Sequence, residues 1–483
     1  MTQGTTLDTR AGEDGVAEPP VSRRLAEFAA GARYDDLPPG VVADAKLAVL
    51  DWLGSALAGS LEGPARIARE VASGLGTSEE ATVFPEGRSS AAGAALANGV
   101  ASHILEYDDV HKGSTLHGAA PIIPAALAVA ERERADGRAF LLATVLGYEA
   151  ALRVGEAVNP SHYRYWHPTG TAATFGAAVA AGSLLRLDAG RMNDALGSAG
   201  TQAGGLWEFN ADGAMSKHLH PGKAAFNGVL AADLARLGFT GATRILEGER
   251  GFFRATSTAH DSGWITDGLG ERWKISENCY KLHSCCGHTH TAIDTALDLR
   301  ARGGWADGAA ARAVEGVRIA LYGPGYEIVR EPLPRTPYQA KFSIAYCVAV
   351  ALLEGRAGLD QFAPERFGPD GPTDPAIRDL LARTRVEVDP ALTALYPERW
   401  PARLALRLAG GESVEGGADY PRGNPENPVP PAHLEAKFRD LVAPRYDGEL
   451  AERATAAVRG LDACPDVSAL FKDLGLDGIG VVR

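Results

Sequence analysis

Residues Glu106-Tyr-Asp-Asp-Val-His-Lys-Gly-Ser-Thr-Leu-His117 gather three carboxylates, two histidines and a lysine in twelve positions. Directly behind them runs an almost uncharged apolar stretch, Ala119 to Ala130. Acids, bases and a cation where a loop meets a buried helix suit proton transfer on an anionic substrate. A carboxylate beside imidazoles lets environment push pKa values apart, as acid–base work requires. The bland alternative is a solvated loop that caps the following helix; the apolar run directly behind His117 favours the functional reading.

Four further segments share this character. Trp166-His-Pro-Thr-Gly-Thr171 sets His167 and free backbone N–H groups at a helix start, a natural anion site, unless the histidine is incidental. In Ser216-Lys-His-Leu-His-Pro-Gly222, Lys217 and His220 lie three apart and share a face on a helical turn. Such a lysine can hold a carboxylate; a surface lysine is the alternative. Tyr280-Lys-Leu-His-Ser-Cys-Cys-Gly-His-Thr-His290 brings His283, Cys285, Cys286, His288 and His290 together, yet lacks the two separated ligand pairs of structural zinc. Ser343 and Tyr346 stand three apart on an apolar helical stretch, so the phenol either faces a cleft or, as the better-supported alternative, sits satisfied in the core.

Ala-rich segments with apolar spacing of three and four must position these groups: Val41–Ala58, Ala91–Leu105, Pro121–Glu133, Ala139–Val158, Thr171–Leu185 and Arg191–Ala203. Their small faces, as in Ala172 to Ala181, predict close-packed helices at the centre of a bundle. After about Gly270 the pattern changes. Val314–Leu321, Thr384–Val388 and Ala402–Leu408 with Glu412–Gly416 alternate as strands do, the last pair forming a hairpin around Gly410-Gly411. Helical stretches Thr289–Ala301, Ala340–Leu353 and Ala376–Arg383 lie among them. Helical spacing returns after the Pro-rich PENPVPP that begins at Pro425. The expected fold is mainly α: a large all-helical domain with an inserted smaller α+β lid domain. Residues 1–20 form a disordered tail, 21–270 the first part of the helical domain and 271–424 the lid; 425–483 return to the helical domain. A cleft between two such domains is a common place for an active site.

The bulk numbers narrow the function. A chain of 483 residues with 45% hydrophobic and 23% charged residues has ample material for two or three domains. A net charge of −13 speaks against nucleic acid and against an anionic membrane, each of which demands a basic face. Five cysteines do not make a disulfide framework, which points to a reducing compartment. The first twenty residues lack the apolar core of a signal peptide, and no apolar run reaches membrane-span length, so a cytoplasmic protein is expected. There is no GxGxxG after a strand, no GxxxxGK[ST], no HExxH and no GxSxG.

In order and content these segments resemble the MmgE/PrpD family of 2-methylcitrate dehydratases, cis-aconitate decarboxylases and iminodisuccinate epimerases. The matching stretches are ILEYDDVHKGSTLHGAAPIIPAALAVAE, YWHPTGTAATFGAA, MSKHLHPGKAAFNGVLAADLARLGFTG with ILEGERGFF, YKLHSCCGHTHTAIDTAL, YQAKFSIAYCVAVAL and PRGNPENPVPPAHLEAKFRDLV. They span about Val21 to Leu461. The resemblance implies a homodimer with no metal or organic cofactor, and a small anionic polycarboxylate as substrate. By motif its cleft residues fall on Glu106, Val110, His117, His167, Lys217, Lys281, Cys286 and Tyr346. Glu106 stands where an Asp is expected, Val110 where a Thr is, and Cys286 replaces a histidine of the decarboxylase branch. These departures argue against cis-aconitate decarboxylase itself, and the DFNDTW…WGHPSDN look of the 2-methylcitrate dehydratases is also missing.

The implied chemistry is carbon-acid chemistry. His117 or His167 carries the proton, and Lys217 and Lys281 face developing negative charge. Tyr346 donates to an oxyanion, and Glu106 or Asp109 orients an imidazole. A lyase that dehydrates or decarboxylates a small polycarboxylate is the first expectation. An isomerase or epimerase using the same carbanion is the second, with His117 and His167 as opposed bases. A non-catalytic binding homologue is the third, and the joint presence of both lysines, both histidines and the tyrosine speaks against it.

Overall fold

Small residues decide how the helices of this protein pack. A computed structural model describes residues 19–76, 78–305, 309 and 313–476. Residues 1–18 of the expected tail lie outside the described residues. The fold is mainly α. Its helical part is built from α1 (Pro39–Gly59), α2 (Ala91–His103), α3 (Ala119–Glu133), α4 (Gly137–Val158), α5 (Ala172–Leu184) and α6 (Ser216–Arg236). Side-chain caps start several of them: Ser90 accepts from the Gly93 amide, and Asp136 from the Ala139 amide.

Close approach of these helices requires glycine. A Cβ on Gly228 would stand 2.4 Å from that of Ala177, and one on Gly176 would stand 2.5 Å from the Gly147 carbonyl oxygen. Together these contacts lock α4, α5 and α6, and α5 is buried on nearly every side. The crossing of α2 with α6 matters most for function. A Cβ on Gly99 would sit 2.7 Å from the Gly222 Cα, and one on Gly222 would sit 2.6 Å from the Leu96 carbonyl oxygen. This contact fixes the C-terminal end of α2, which carries His103, beside the first turns of α6, which carry Lys217, His218 and His220.

A second apolar core lies beside the first. Strands β1 (Val314–Leu321), β2 (Thr384–Val388), β3 (Ala402–Leu408) and β4 (Ser413–Ala418) form a mixed sheet in the order β2-β1-β3-β4. β1 runs parallel to β2, with Ile319 opposite Val386, and antiparallel to β3, with Ile319 opposite Leu404. β3 and β4 form the expected hairpin, with Gly410 and Gly411 at φ of 121° and 87°, values that L side chains rarely adopt. Helices α7 (Gly287–Gly303) and α8 (Ile344–Glu354) contribute Ile293, Leu299, Val348 and Leu352 to the same core.

The expected single helix from Ala340 to Leu353 is two helices. A short one, Pro337–Lys341, ends before Ser343, whose hydroxyl accepts from the Tyr346 amide at 3.2 Å and so begins α8. Beyond the sheet, α9 (Pro431–Val442) and α10 (Gly448–Arg459) pack into the helical core. Phe438 and Leu441 of α9 lie where a Cβ on Gly54 of α1 would meet them at 3.0 and 3.2 Å. Among the described residues no helix is long and apolar enough to cross a membrane.

Gly222→Ala forces α2 and α6 apart, because the clash is with backbone rather than with a flexible chain end. It is expected to cost about 1–3 kcal/mol in urea unfolding. Gly40→Ala, which meets nothing within 4 Å, serves as the control and is expected to stay within about 0.5 kcal/mol of the parent.

Candidate active site

The turn that follows α2 is held by lysines. Lys341 Nζ and the Ser284 hydroxyl each donate to the Leu105 carbonyl at 2.7 Å. Lys281 Nζ donates to the Glu106 carbonyl at 3.2 Å, and Lys437 Nζ to the Tyr107 carbonyl at 2.6 Å. Glu106 itself has φ 55°, in the left-handed region that non-glycine residues seldom occupy. Strain of this kind persists only where surrounding contacts over-determine it, and functional sites are where it collects.

From this turn the carboxylates diverge. Glu106 is buried against two cations: Oε1 bonds Lys217 Nζ, and Oε2 lies 3.5 Å from Lys281 Nζ. Burial opposes its ionisation, but the two ammonium groups outweigh that and hold the carboxyl well below its usual range. Lys281 is in turn held above its ordinary value: burial lowers it, but Glu106 and Asp108 together outweigh that cost.

Asp108 Oδ2 lies 2.8 Å from His103 Nδ1 and 3.3 Å from His117 Nδ1, so one carboxylate serves two imidazoles. Burial again opposes ionisation, and the two rings overcome it. His117 Nδ1 also donates to the Asp109 carbonyl at 2.6 Å. Burial lowers the His117 pKa to about 4, against the pull of Asp108, so the ring is neutral at pH 7 beside an ionised carboxylate. His167 completes the group, with its Nδ1 3.0 Å from His220 Nδ1. Burial and the neighbouring His220 hold the His167 pKa well below its ordinary value. The ring centroids of His103, His117 and His167 are 4.6 to 6.2 Å apart. Trp207 and Phe209 pack against His167.

Glu106, His117, His167, Lys217 and Lys281 thus stand in one buried cluster. Cys286 borders it: burial raises its thiol to about 11, against the lowering influence of Lys281. Asp109 and Val110 do not join it. The Asp109 carboxylate accepts from the Ala119 amide at the start of α3, from the Tyr148 hydroxyl at 2.6 Å and from Asn278 Nδ2 at 2.8 Å. The chain bends at Asp108, so that its carboxylate faces the imidazoles while that of Asp109 faces the helix terminus, and only the Asp109 carbonyl touches His117. Burial raises its carboxyl to about 7. Val110 bridges to Cys279 through backbone hydrogen bonds and lies in the apolar core around the sheet.

Tyr346 is also elsewhere. Its hydroxyl donates to the Gln361 carbonyl, and its ring packs on Phe362 and Phe367. The break before α8 puts it there. Tyr338, one helix earlier, occupies the position at the cleft: with Glu106, His218 and Lys341 it bounds a cavity of about 470 Å³.

His103, Lys341 and Tyr338 stand at the cluster or its cavity although they are not among the expected site residues, and Asp108 rather than Asp109 meets the imidazoles. A usable signal existed for His103, since it ends an otherwise uncharged Ala-rich helix. Of the first segment, His111 and Lys112 face a different cavity, of about 450 Å³, behind the loop. There Lys274 Nζ lies 3.0 Å from Glu156 and 2.8 Å from Glu277, so its charge is balanced internally. The Cys/His segment disperses: His283 pairs with Asp294, His288 with the Tyr322 hydroxyl, and His290 with the Cys285 carbonyl.

Two conserved-domain matches cover nearly all of this architecture. The MmgE/PrpD N-terminal domain matches residues 23–264 and the MmgE/PrpD C-terminal domain residues 283–463. The chain belongs to the MmgE/PrpD family. Among curated proteins it is 28% identical to the cis-aconitate decarboxylase-like protein oryM of Aspergillus oryzae, over 95% of this chain and 98% of that protein. It is 26% identical to the cis-aconitate decarboxylase of Aspergillus terreus, over 96% and 98%, and 27% identical to the human one, over 91% of each.

Two expectations follow from the site. His117 and His220, at about 4, and His218, at about 3, stay neutral in the fold where the unfolded chain is protonated. Between about pH 6.5 and pH 4 these three rings give the unfolded state more protons; Asp109, at about 7, is protonated in the fold over that range and offsets about one of the three, so stability still falls as pH falls. His117 alone accounts for about 3 kcal/mol of that loss. Urea unfolding at pH 7 and pH 4.5 measures it, and equal stability at the two pH values would refute it. Separately, Tyr346→Phe is expected to cost about 1 kcal/mol of stability and leave turnover within about twofold. Tyr338→Phe is expected to reduce kcat/KM by more, as steady-state kinetics of the two variants would reveal.

Proposed function

We propose that the protein is a lyase that acts on a small polycarboxylate with side chains alone, through a carbanion formed next to a carboxylate. The observation that carries this reading is Asp108 shared between His103 and His117 within one buried cluster with Lys217 and Lys281. Family membership and relatives named as cis-aconitate decarboxylases support the lyase class.

The roles follow from the chemistry of each group. Lys217 and Lys281 bind a substrate carboxylate and face the negative charge that develops when a proton or CO₂ departs. Fixed cations in a dry site act more strongly than they would in water, and they need not reorganise during the reaction. Glu106 holds both ammonium groups in place. His117, neutral at pH 7 with its Nδ1 committed to Asp108 and the Asp109 carbonyl, has Nε2 free to accept or return a proton. Asp108 stabilises the imidazolium that results. Tyr338 and Lys341 line the approach from the cavity.

An isomerase or epimerase is the second reading. His117 and His167 favour it: their rings stand 6.2 Å apart at 63°, so two proton carriers address the cluster from different directions. Exposed Leu206, Met215 and Leu219, on the segment that carries Lys217, offer an apolar surface to a second copy of the chain.

Proton NMR in D₂O with 2-methylcitrate, citrate, cis-aconitate and iminodisuccinate separates the readings. Alkene formation or loss of CO₂ is expected; exchange of an α-proton without either product would favour the isomerase, and silence across the panel would count against both. On the substrate so found, His117→Ala and Asp108→Asn are each expected to lower kcat by about 10²- to 10⁴-fold. Lys217→Met is expected to raise KM by about 10- to 100-fold through loss of a charged hydrogen bond. Unchanged turnover in His117→Ala would remove that ring from the mechanism.

A further inference from the structure

The buried imidazoles have a capacity beyond proton transfer. We infer that His103, His117 and His167 form a binding site for one divalent cation of borderline softness, Zn²⁺ above all, and that this metal and the substrate exclude one another. One ring nitrogen from each residue lies within 4.8 Å of those of the other two. All three side chains are buried.

Their outer contacts are those of metal-binding histidines. Such rings donate one N–H to a carboxylate or a backbone carbonyl, which fixes the tautomer and leaves the other nitrogen as a ligand. His103 Nδ1 meets the Asp108 carboxylate at 2.8 Å, and His117 Nδ1 meets the Asp109 carbonyl at 2.6 Å. His167 Nδ1 is engaged by His220 Nδ1 at 3.0 Å. His103 Nε2 is buried with no hydrogen-bond partner among the described residues, and so is Asp108 Oδ1. A ring nitrogen with an unused lone pair in a dry site calls for an occupant, because burial without a partner is costly.

Three imidazoles with an open fourth position match the ligand set of catalytic zinc sites. Tetrahedral zinc with nitrogen ligands at about 2.0–2.1 Å needs nitrogens roughly 3.4 Å apart, so the rings close by about 1.4 Å at most. Small side-chain rotations supply that. Lys217 and Lys281 would repel a dication, but Glu106 and Asp108 carry two negative charges into the same cluster. The inference rests on these contacts and stands whichever reaction the site catalyses.

Untagged full-length protein, stripped of metal, is titrated with Co²⁺ and read by visible absorption. The expected result is one equivalent of tetrahedral Co²⁺, displaced by Zn²⁺. His103→Ala and His167→Ala are each expected to weaken binding by at least about 10-fold. His111→Asn, in the other histidine–carboxylate cluster, is expected to leave the band unchanged. Because citrate itself chelates Co²⁺, the competition is run at free Co²⁺ fixed by a metal buffer; there citrate is expected to raise the apparent Kd in the parent, and an unchanged Kd overturns the mutual exclusion. Far-UV circular dichroism confirms that each variant is folded, and the citrate competition tests the same site without any substitution. Absence of a stoichiometric tetrahedral band overturns the inference. So does a band that survives in folded His103→Ala and His167→Ala, or one lost in His111→Asn.

Discussion

Three lysines on three successive carbonyls hold this molecule's chemistry in place. Lys341, Lys281 and Lys437 bond the carbonyls of Leu105, Glu106 and Tyr107. They come from different parts of the chain: beside the sheet, from the segment before α7, and from α9. A buried ammonium is costly unless every donor finds a strong acceptor. Here the carbonyls of the turn after α2, which make no helical bond of their own, provide those acceptors. One turn therefore gives three buried ammonium groups an acceptor and ties distant parts of the chain to three neighbouring carbonyls. The left-handed Glu106 is tolerated because the turn has no freedom to relax.

The turn also sorts the acids. Three carboxylates within four residues would repel one another if they shared a space. Instead Glu106 meets two lysines, Asp108 meets two imidazoles, and Asp109 meets the N-terminus of α3, a tyrosine and an asparagine. The environments give opposite outcomes. Cations and imidazoles keep Glu106 and Asp108 ionised, whereas Asp109, among neutral donors, is pushed up to about 7. Its likeness to Asp108 in sequence conceals a structural task, which is to seat the helix behind His117.

The helices and strands were legible because period and composition determine them locally. β1 and β2 match their expected bounds, and the small-faced α5 lies at the centre of its bundle as its alanines imply. The clustering of His117, His167, Lys217 and Lys281 came from the family resemblance, whose motifs imply one cleft for all four; their local spacing alone left a surface or capping role open for each. What escaped depended on direction. Asp108 and Asp109 differ only in which way each carboxylate points from a bend in the loop. Tyr346 and Tyr338 are separated by a break that a serine cap decides, and apolar periodicity runs straight across it. Lys341 resembles a surface lysine until the carbonyl of Leu105, far away in sequence, is found against it.

The residue at position 106 shows how a small change in reach alters the field felt by a substrate. Where the family resemblance leads one to expect aspartate, glutamate adds one methylene, and its two oxygens address Lys217 and Lys281 separately. Each ammonium is thereby oriented before substrate arrives, and neither is left as an isolated buried charge. In the lyase we propose, a substrate carboxylate would share the lysines with Glu106 rather than displace water from them. Because the cations are already fixed, growth of negative charge on the substrate strengthens an existing interaction instead of organising a new one. That is the condition under which electrostatics favours a transition state over the bound ground state.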